Sequence, residues 1–143
     1  MEKWKDIYFT DLNGKTYDFR GKYQVSNYGR VRSLDITKTY INNGGVCSRT
    51  FKGQILTPKI THNGYLRIRL WDRPHSYDFF VHRLVAFMFL EVVCDNMQIN
   101  HKDENKQNNN VDNLEWVTPK DNCNYGTRIE RIRKTKEAKK CND

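Results

Sequence analysis

The stretch INHKDENKQNNNVDNLEWVTPKDN, residues 99–122, leaves few ways for its part of the chain to fold. QINH reads as the end of a strand, and KDENKQNNNVD is an 11-residue polar loop. NLEWVT then alternates as a second strand, which predicts Leu114 and Trp116 toward a core and Glu115 and Val117 away from it. Thr118-Pro119-Lys120-Asp121 supplies a capping hydroxyl, a proline at the first helical position and a carboxylate at the third, so a helix must start there. Strand, long loop, strand and capped helix follow one another without a linker. That order can carry residue 101 to the first turn of the helix, where Asn122 sits. Asn108, Asn109 and Asn110 need no chemical role, since asparagine is a turn former.

The remaining chain supports one compact domain, or a domain with a small attached module, in 143 residues. Asn13-Gly14 between aromatic and β-branched runs predicts a hairpin, and GKYQVSNYGRVRSL a second strand pair turning at Asn27-Tyr28-Gly29. Residues 35–52 are polar around Asn-Asn-Gly-Gly and are expected to form a mobile loop. QILTPKITHNGYLRIRLW predicts a hairpin turning at Asn63-Gly64, with Leu66, Ile68 and Leu70 inward and Arg67 and Arg69 outward. VHRLVAFMF has Val81, Leu84, Val85, Met88 and Phe89 at helical spacing, with His82 expected to pack or cap. Residues 127–143 open with a further capping pattern and carry 7 Lys/Arg against 3 Asp/Glu, a frayed basic helix or a segment ordered on nucleic acid.

Charge bounds the partner. Lys plus Arg number 25 against 17 Asp plus Glu, a net +8, and such a surplus favours a polyanion because neutralised phosphates release condensed counterions. No apolar run has membrane-spanning length, since FFVHRLVAFMFL is broken by His82 and Arg83. MEKWKDIYF lacks the apolar core of a signal peptide. Cys47, Cys94, Cys123 and Cys141 form no C-x-x-C pair, which argues against both a zinc site of the usual spacing and a disulfide framework. The expectation is a reduced, cytoplasmic protein.

Residues 99–125 resemble the ββα-metal finger of the HNH endonucleases, in the branch of the phage and intron-encoded homing enzymes, whose motif NH.D.NK.NN...NLEWVT stands here nearly intact. VHRLVAFMF is similar to the helix that leads into that finger. WKDI…GKYQVSNYGRVRSL resembles the small DNA-binding module fused ahead of such nucleases. The resemblance implies an α+β fold. It would have an N-terminal β-rich module and loop over 1–53, a nuclease domain over 54–126 with the finger at 98–126, and a basic tail over 127–143.

It also implies a chemistry, which physical need supports. Phosphodiester hydrolysis requires an activated water, neutralised phosphoryl charge and a stabilised leaving oxygen. One hard divalent cation can provide the last two and a neutral imidazole the first. By match to the motif, His101 is the general base and Asn100 and Asn122 are metal ligands offering oxygens to Mg²⁺ or Mn²⁺. Asn113 ties the long loop together and so aims His101. Two departures weaken the metal site: Asn122 stands where the family's final histidine is, and Asn100 where many members have aspartate. Asp103 and Asp121 lie nearby but read as loop and cap residues. On a regular strand residues 100 and 101 face opposite ways, so serving one site requires an irregular strand end.

The resulting expectation is a metal-dependent endonuclease nicking one strand of double-stranded DNA, a monomer unless both strands are cut. Arg30 and Arg32, Arg67 and Arg69, and Arg128 and Arg131 in the tail are the expected DNA contacts. A DNA-binding protein that keeps the finger without cleaving is the alternative, and a protein-interaction module a third.

Overall fold

The computed structural model describes residues 1–124; the expected tail, with Arg128 and Arg131, lies outside them. Strand β1 (Trp4–Asp6) leads to β2 (Tyr8–Thr10) and β3 (Thr16–Asp18), then β4 (Tyr23–Ser26) and β5 (Val31–Ser33). β2 and β3 form the hairpin expected at Asn13-Gly14, whose turn is held by Asp11 Oδ1 accepting from the Asn13 and Lys15 amides. β1, β4 and β5 make an antiparallel sheet in the order β1-β4-β5.

The expected loop over residues 35–52 is instead a long antiparallel hairpin, β6 (Ile36–Asn42) paired with β7 (Gly45–Phe51) from Ile36↔Phe51 to Asn42↔Gly45. Its residues are exposed on both faces apart from a half-buried Cys47, so no alternation of apolar and polar residues is needed to form it. β-branched residues and hydroxyl ladders replace that signal: Thr37 meets Thr50 at 2.9 Å and Thr39 meets Ser48 at 3.2 Å.

β8 (Lys59–Ile60), β9 (Leu66–Asp72) and β10 (His75–Phe80) form a second sheet in the order β10-β9-β8. The turn at Asn63-Gly64 is as expected, but the strand before it is short. Residues 54–56 leave that hairpin to bond residues 31–33, through Ser33 N to Gln54 O and Leu56 N to Val31 O. Ile68 and Leu70 are buried while Arg67 and Arg69 are exposed, the alternation the sequence shows.

Helix α1 (Val81–Phe89) is the hub of the core. Val81, Leu84 and Val85 are at most 1% exposed. They pack with Ile7, Phe9, Phe19, Val25 and Val31 from the N-terminal strands, Ile68 and Leu70 from β9, and Leu114 beyond. Phe9 stacks on Phe87 at 4.9 Å between ring centres. Each fully buried aliphatic side chain contributes about 1.5–3 kcal/mol. A shared core makes the N-terminal strands a wall of the same unit as the finger that follows.

That finger is β11 (Gln98–His101), a 3-10 turn at Val111–Asn113, β12 (Leu114–Val117) and α2 (Pro119–Asn124). Leu114 is 2% exposed and Trp116 packs edge-on against Phe87 at 5.3 Å, so the inward face of β12 is as expected. α2 opens on a reciprocal cap in which Thr118 Oγ1 donates to Asp121 Oδ2 at 2.8 Å and accepts from the Asp121 amide at 3.2 Å.

Candidate active site

The loop between β11 and β12 is organised by Asn113. Its Nδ2 donates to the Asn108 carbonyl at 2.8 Å and to Asp103 Oδ1 at 2.9 Å, while its Oδ1 accepts from the Asp103 amide at 3.0 Å. The Lys102 amide donates to the Asn113 carbonyl at 2.8 Å. Donors from Asn108, the Asn105 amide and Asn113 hold the Asp103 carboxyl below the usual carboxylate range, the Asn108 bond being the largest cause. Asp103 is therefore a loop residue and Asp121 a helix cap, each engaged within its own element.

β11 continues in regular pairing through His101, with Asn100 opposite Glu115 and His101 opposite Leu114. The irregular strand end required to turn both side chains one way is absent, because the long loop begins only at residue 102. Asn100 and His101 consequently serve opposite faces.

On the inner face, His101 is 6% exposed. Its Nε2 lies 2.9 Å from Asn109 Oδ1. With an amide oxygen there, Nε2 is the ring nitrogen placed to donate. The ring of His82 packs edge-on at 5.2 Å and Tyr65 at 6.1 Å. His82 is 7% exposed, and burial, then the His101 ring and Arg83, lowers its pKa to about 3. It is a neutral packed histidine, as expected, not a competing cation.

On the outer face, Asn100 Nδ2 donates to Glu115 Oε1 at 2.9 Å and Asn122 Nδ2 donates to Gln98 Oε1 at 2.7 Å. Gln98 ties Asn122 to the start of β11, and Asn122 also lines a cleft with Ile99, Trp116 and His82. No cluster of three His, Cys, Asp or Glu capable of holding a metal exists among the described residues. The oxygens carried by these side chains are those of two amides and the Glu115 carboxylate. Hard oxygens with a single carboxylate fit Mg²⁺ or Mn²⁺, which fill the rest of their shell with water and phosphate. Glu115 was missed from sequence, where it read only as an outward residue; aligning QINH against LEWV would have paired it with Asn100.

A cleft of about 480 Å³ adjoins this region, its wall including Tyr65, Phe80, His82, Arg83, Trp116 and Asn122. His82 Nδ1 and Trp116 Nε1 are buried there without a hydrogen-bond partner among the described residues.

The expected DNA-contacting arginines are mostly engaged. Arg30 forms a bidentate pair with Glu2, and Arg69 one with Asp78 at 2.8 and 2.9 Å, with Arg67 4.0 Å from the same carboxylate. Arg32 lies 4.0 Å over the Trp4 ring and donates to Gln24. Sequence reasoning overlooked Lys38 and Arg49, which flank the Phe51 ring on the β6–β7 hairpin and have no carboxylate partner among the described residues.

Two family models match the chain, the NUMOD4 motif over residues 2–71 and an HNH endonuclease model over residues 79–123. The chain is 39% identical over 120 residues to DNA endonuclease I-HmuI of Bacillus phage SP01, covering 84% of this chain and 55% of that protein. It is 34% identical over 110 residues to an uncharacterized HNH endonuclease, L245, of Acanthamoeba polyphaga mimivirus, covering 77% of this chain and 28% of the relative. The chain thus spans about half, or less, of the length of these curated relatives. A solved structure described as DNA binding and cleavage by the HNH homing endonuclease I-HmuI superposes with a TM-score of 0.62 at 34% identity, covering 94% of this chain and 68% of that one.

Proposed function

Because the chain belongs to the HNH endonuclease family, we propose that it is a DNA endonuclease that uses a divalent metal and nicks one strand of a duplex at a time. The observation that carries this reading is His101: buried at the end of β11, with Nε2 tied to Asn109, so that Nδ1 is the nitrogen the reading assigns as base.

In this reading, water beside the scissile phosphate gives its proton to His101 Nδ1 as it attacks phosphorus. The amide oxygens of Asn100 and Asn122 and the Glu115 carboxylate are the groups that would hold Mg²⁺ or Mn²⁺. When bound, that ion supplies charge neutralisation at the phosphoryl group and at the leaving 3′-oxygen. β11 pairs with β12 alone among the described strands, and Asn100 and His101, 7% and 6% exposed, flank it from opposite faces. One finger acts on one strand, and a double-strand break needs a second copy or a second event. No helix among the described residues is long and apolar enough to cross a membrane.

Duplex DNA is held by unpaired basic groups of the N-terminal segment. The exposed β6–β7 hairpin has the dimensions of a two-stranded ribbon that enters a major groove, and it carries Lys38 and Arg49. Arg30 and Arg69 contact phosphate only after leaving Glu2 and Asp78.

Supercoiled plasmid incubated with the protein and Mg²⁺ or Mn²⁺ tests the reading. Relaxed circles are expected, and His101→Ala should slow their appearance by roughly 10²- to 10⁴-fold. No relaxed circle at any metal concentration sinks the proposal. A second reading, a DNA-binding protein with a silent finger, draws on one observation: the Asn100 and Asn122 amides are already engaged with Glu115 and Gln98. Asn100→Asp separates the two, since cleavage gained from nothing supports the silent finger.

A further inference from the structure

The Ser26–Gly29 turn of the N-terminal segment packs directly on the loop that holds His101. Ser26 is fully buried, and its hydroxyl accepts from the Tyr28 and Arg30 amides while the Gly29 amide donates to its carbonyl at 3.0 Å. The turn is therefore internally rigid. Asn27, tied to Lys3 by its side chain and its amide, offers its carbonyl to the Val111 amide at 2.8 Å. Gly29, at φ +83°, lies against Asn109: a Cβ placed on it would stand 2.8 Å from the Asn109 Cβ and 2.9 Å from the Asn109 carbonyl oxygen. Asn109 is 3% exposed and its Oδ1 is the group that meets His101 Nε2 at 2.9 Å. Its Nδ2 is buried without a hydrogen-bond partner among the described residues. An unpartnered buried donor is destabilising, which turn formation alone gives no reason to accept.

We infer that Asn109 is a positioning residue for His101 and that the Ser26–Gly29 turn is its mechanical support. The N-terminal module then sets the aim of the imidazole in addition to any contact it makes with DNA. The claim rests on the nuclease reading for its consequence, but not for its geometry. A catalytic group must be held by packed neighbours whose own positions are locked, and displacement by about 1 Å can cost about 10²-fold in rate. Gly29 leaves room for Asn109 because no side chain separates the two segments.

The test uses Asn109→Ala, Gly29→Ala and, as a matched control, Gly21→Ala. Gly21 also has positive φ, +74°, but a Cβ there meets nothing within 4 Å, so it reproduces the backbone strain without the contact. Plasmid nicking gives kcat and KM. Two-bond ¹H–¹⁵N correlation of the His101 ring, in the protein without DNA or metal, reports which nitrogen carries the proton. Asn109→Ala and Gly29→Ala should lower kcat at least about tenfold with KM for DNA unchanged within about twofold, and both should lose the Nε2–H signature. Gly21→Ala should keep kcat and signature while melting earlier. If Gly29→Ala does not fold, Asn109→Ala decides alone, since it removes the amide and leaves the backbone contact. Unchanged kcat and tautomer in the folded variants overturn the inference, as does equal loss of kcat in Gly21→Ala and Gly29→Ala. A wild-type protein that nicks nothing defeats the nuclease reading, and the ring tautomer still decides the positioning claim.

Discussion

Asn100 and His101 are neighbours in the chain but belong to different surroundings: Asn100 donates to Glu115 on the outer face of β11, and His101 meets Asn109 on the inner face. The two side chains are almost equally buried, at 7% and 6% exposed, although they leave the strand on opposite sides.

Glu115 is the one carboxylate opposite the Asn100 amide. Glu115→Gln keeps size and an amide–oxygen contact but removes the negative charge. Mn²⁺ affinity measured by calorimetry should fall by at least about tenfold, the scale on which charge count tunes oxygen sites. Unchanged affinity would remove Glu115 from the proposed ligands.

His82 links folding to acid. Its pKa is lowered from 6.5 to about 3 in the fold, so the unfolded chain binds the proton more readily. The stability this neutral ring contributes is present above pH 6.5 and is lost as pH falls from there toward 3. His82→Phe, which retains an aromatic ring beside Tyr65 and Phe80, should flatten the decline in melting temperature over that window. An identical decline in the variant would assign it to other groups.

Asn113 closes the loop through three side-chain bonds. Asn113→Ala should destabilise the protein by about 1–3 kcal/mol, because the Asp103 amide and the Asn108 carbonyl lose their partner. Hydrogen exchange at the Asp103 amide should accelerate more than exchange at the α1 amides. Uniform acceleration would mean that Asn113 supports the whole fold and not the loop.

Free and engaged arginines should separate in salt titrations of DNA binding. Arg49→Ala should reduce the slope of log K against log salt by about 1, the loss of one phosphate contact. Arg69→Ala should leave it nearly unchanged, since Asp78 already engages Arg69 and Arg67 is in place to take over. Equal reductions from the two would show that Arg69 leaves Asp78 when DNA binds.

Local chemistry is what the sequence by itself determined. The turns at Asn13-Gly14 and Asn63-Gly64, the periodicity of α1, the Thr118-Asp121 cap and the two strands of the finger depend on residues a few positions apart, so adjacency in the chain suffices to read them. Where that reading failed, the missing information was non-local. The β6–β7 hairpin has no buried face to impose an apolar rhythm, and its hydroxyl ladders appear only once the two strands are in register. The facing of Asn100 to Glu115, the ring cluster of Tyr65, His82 and His101, and the seat of Asn109 on Gly29 join segments from 15 to 80 positions apart. Only the shared core around α1 decided those meetings, because burying Phe9, Val25 and Leu114 against one helix carries their attached turns and loops into contact regardless of what the turns themselves encode.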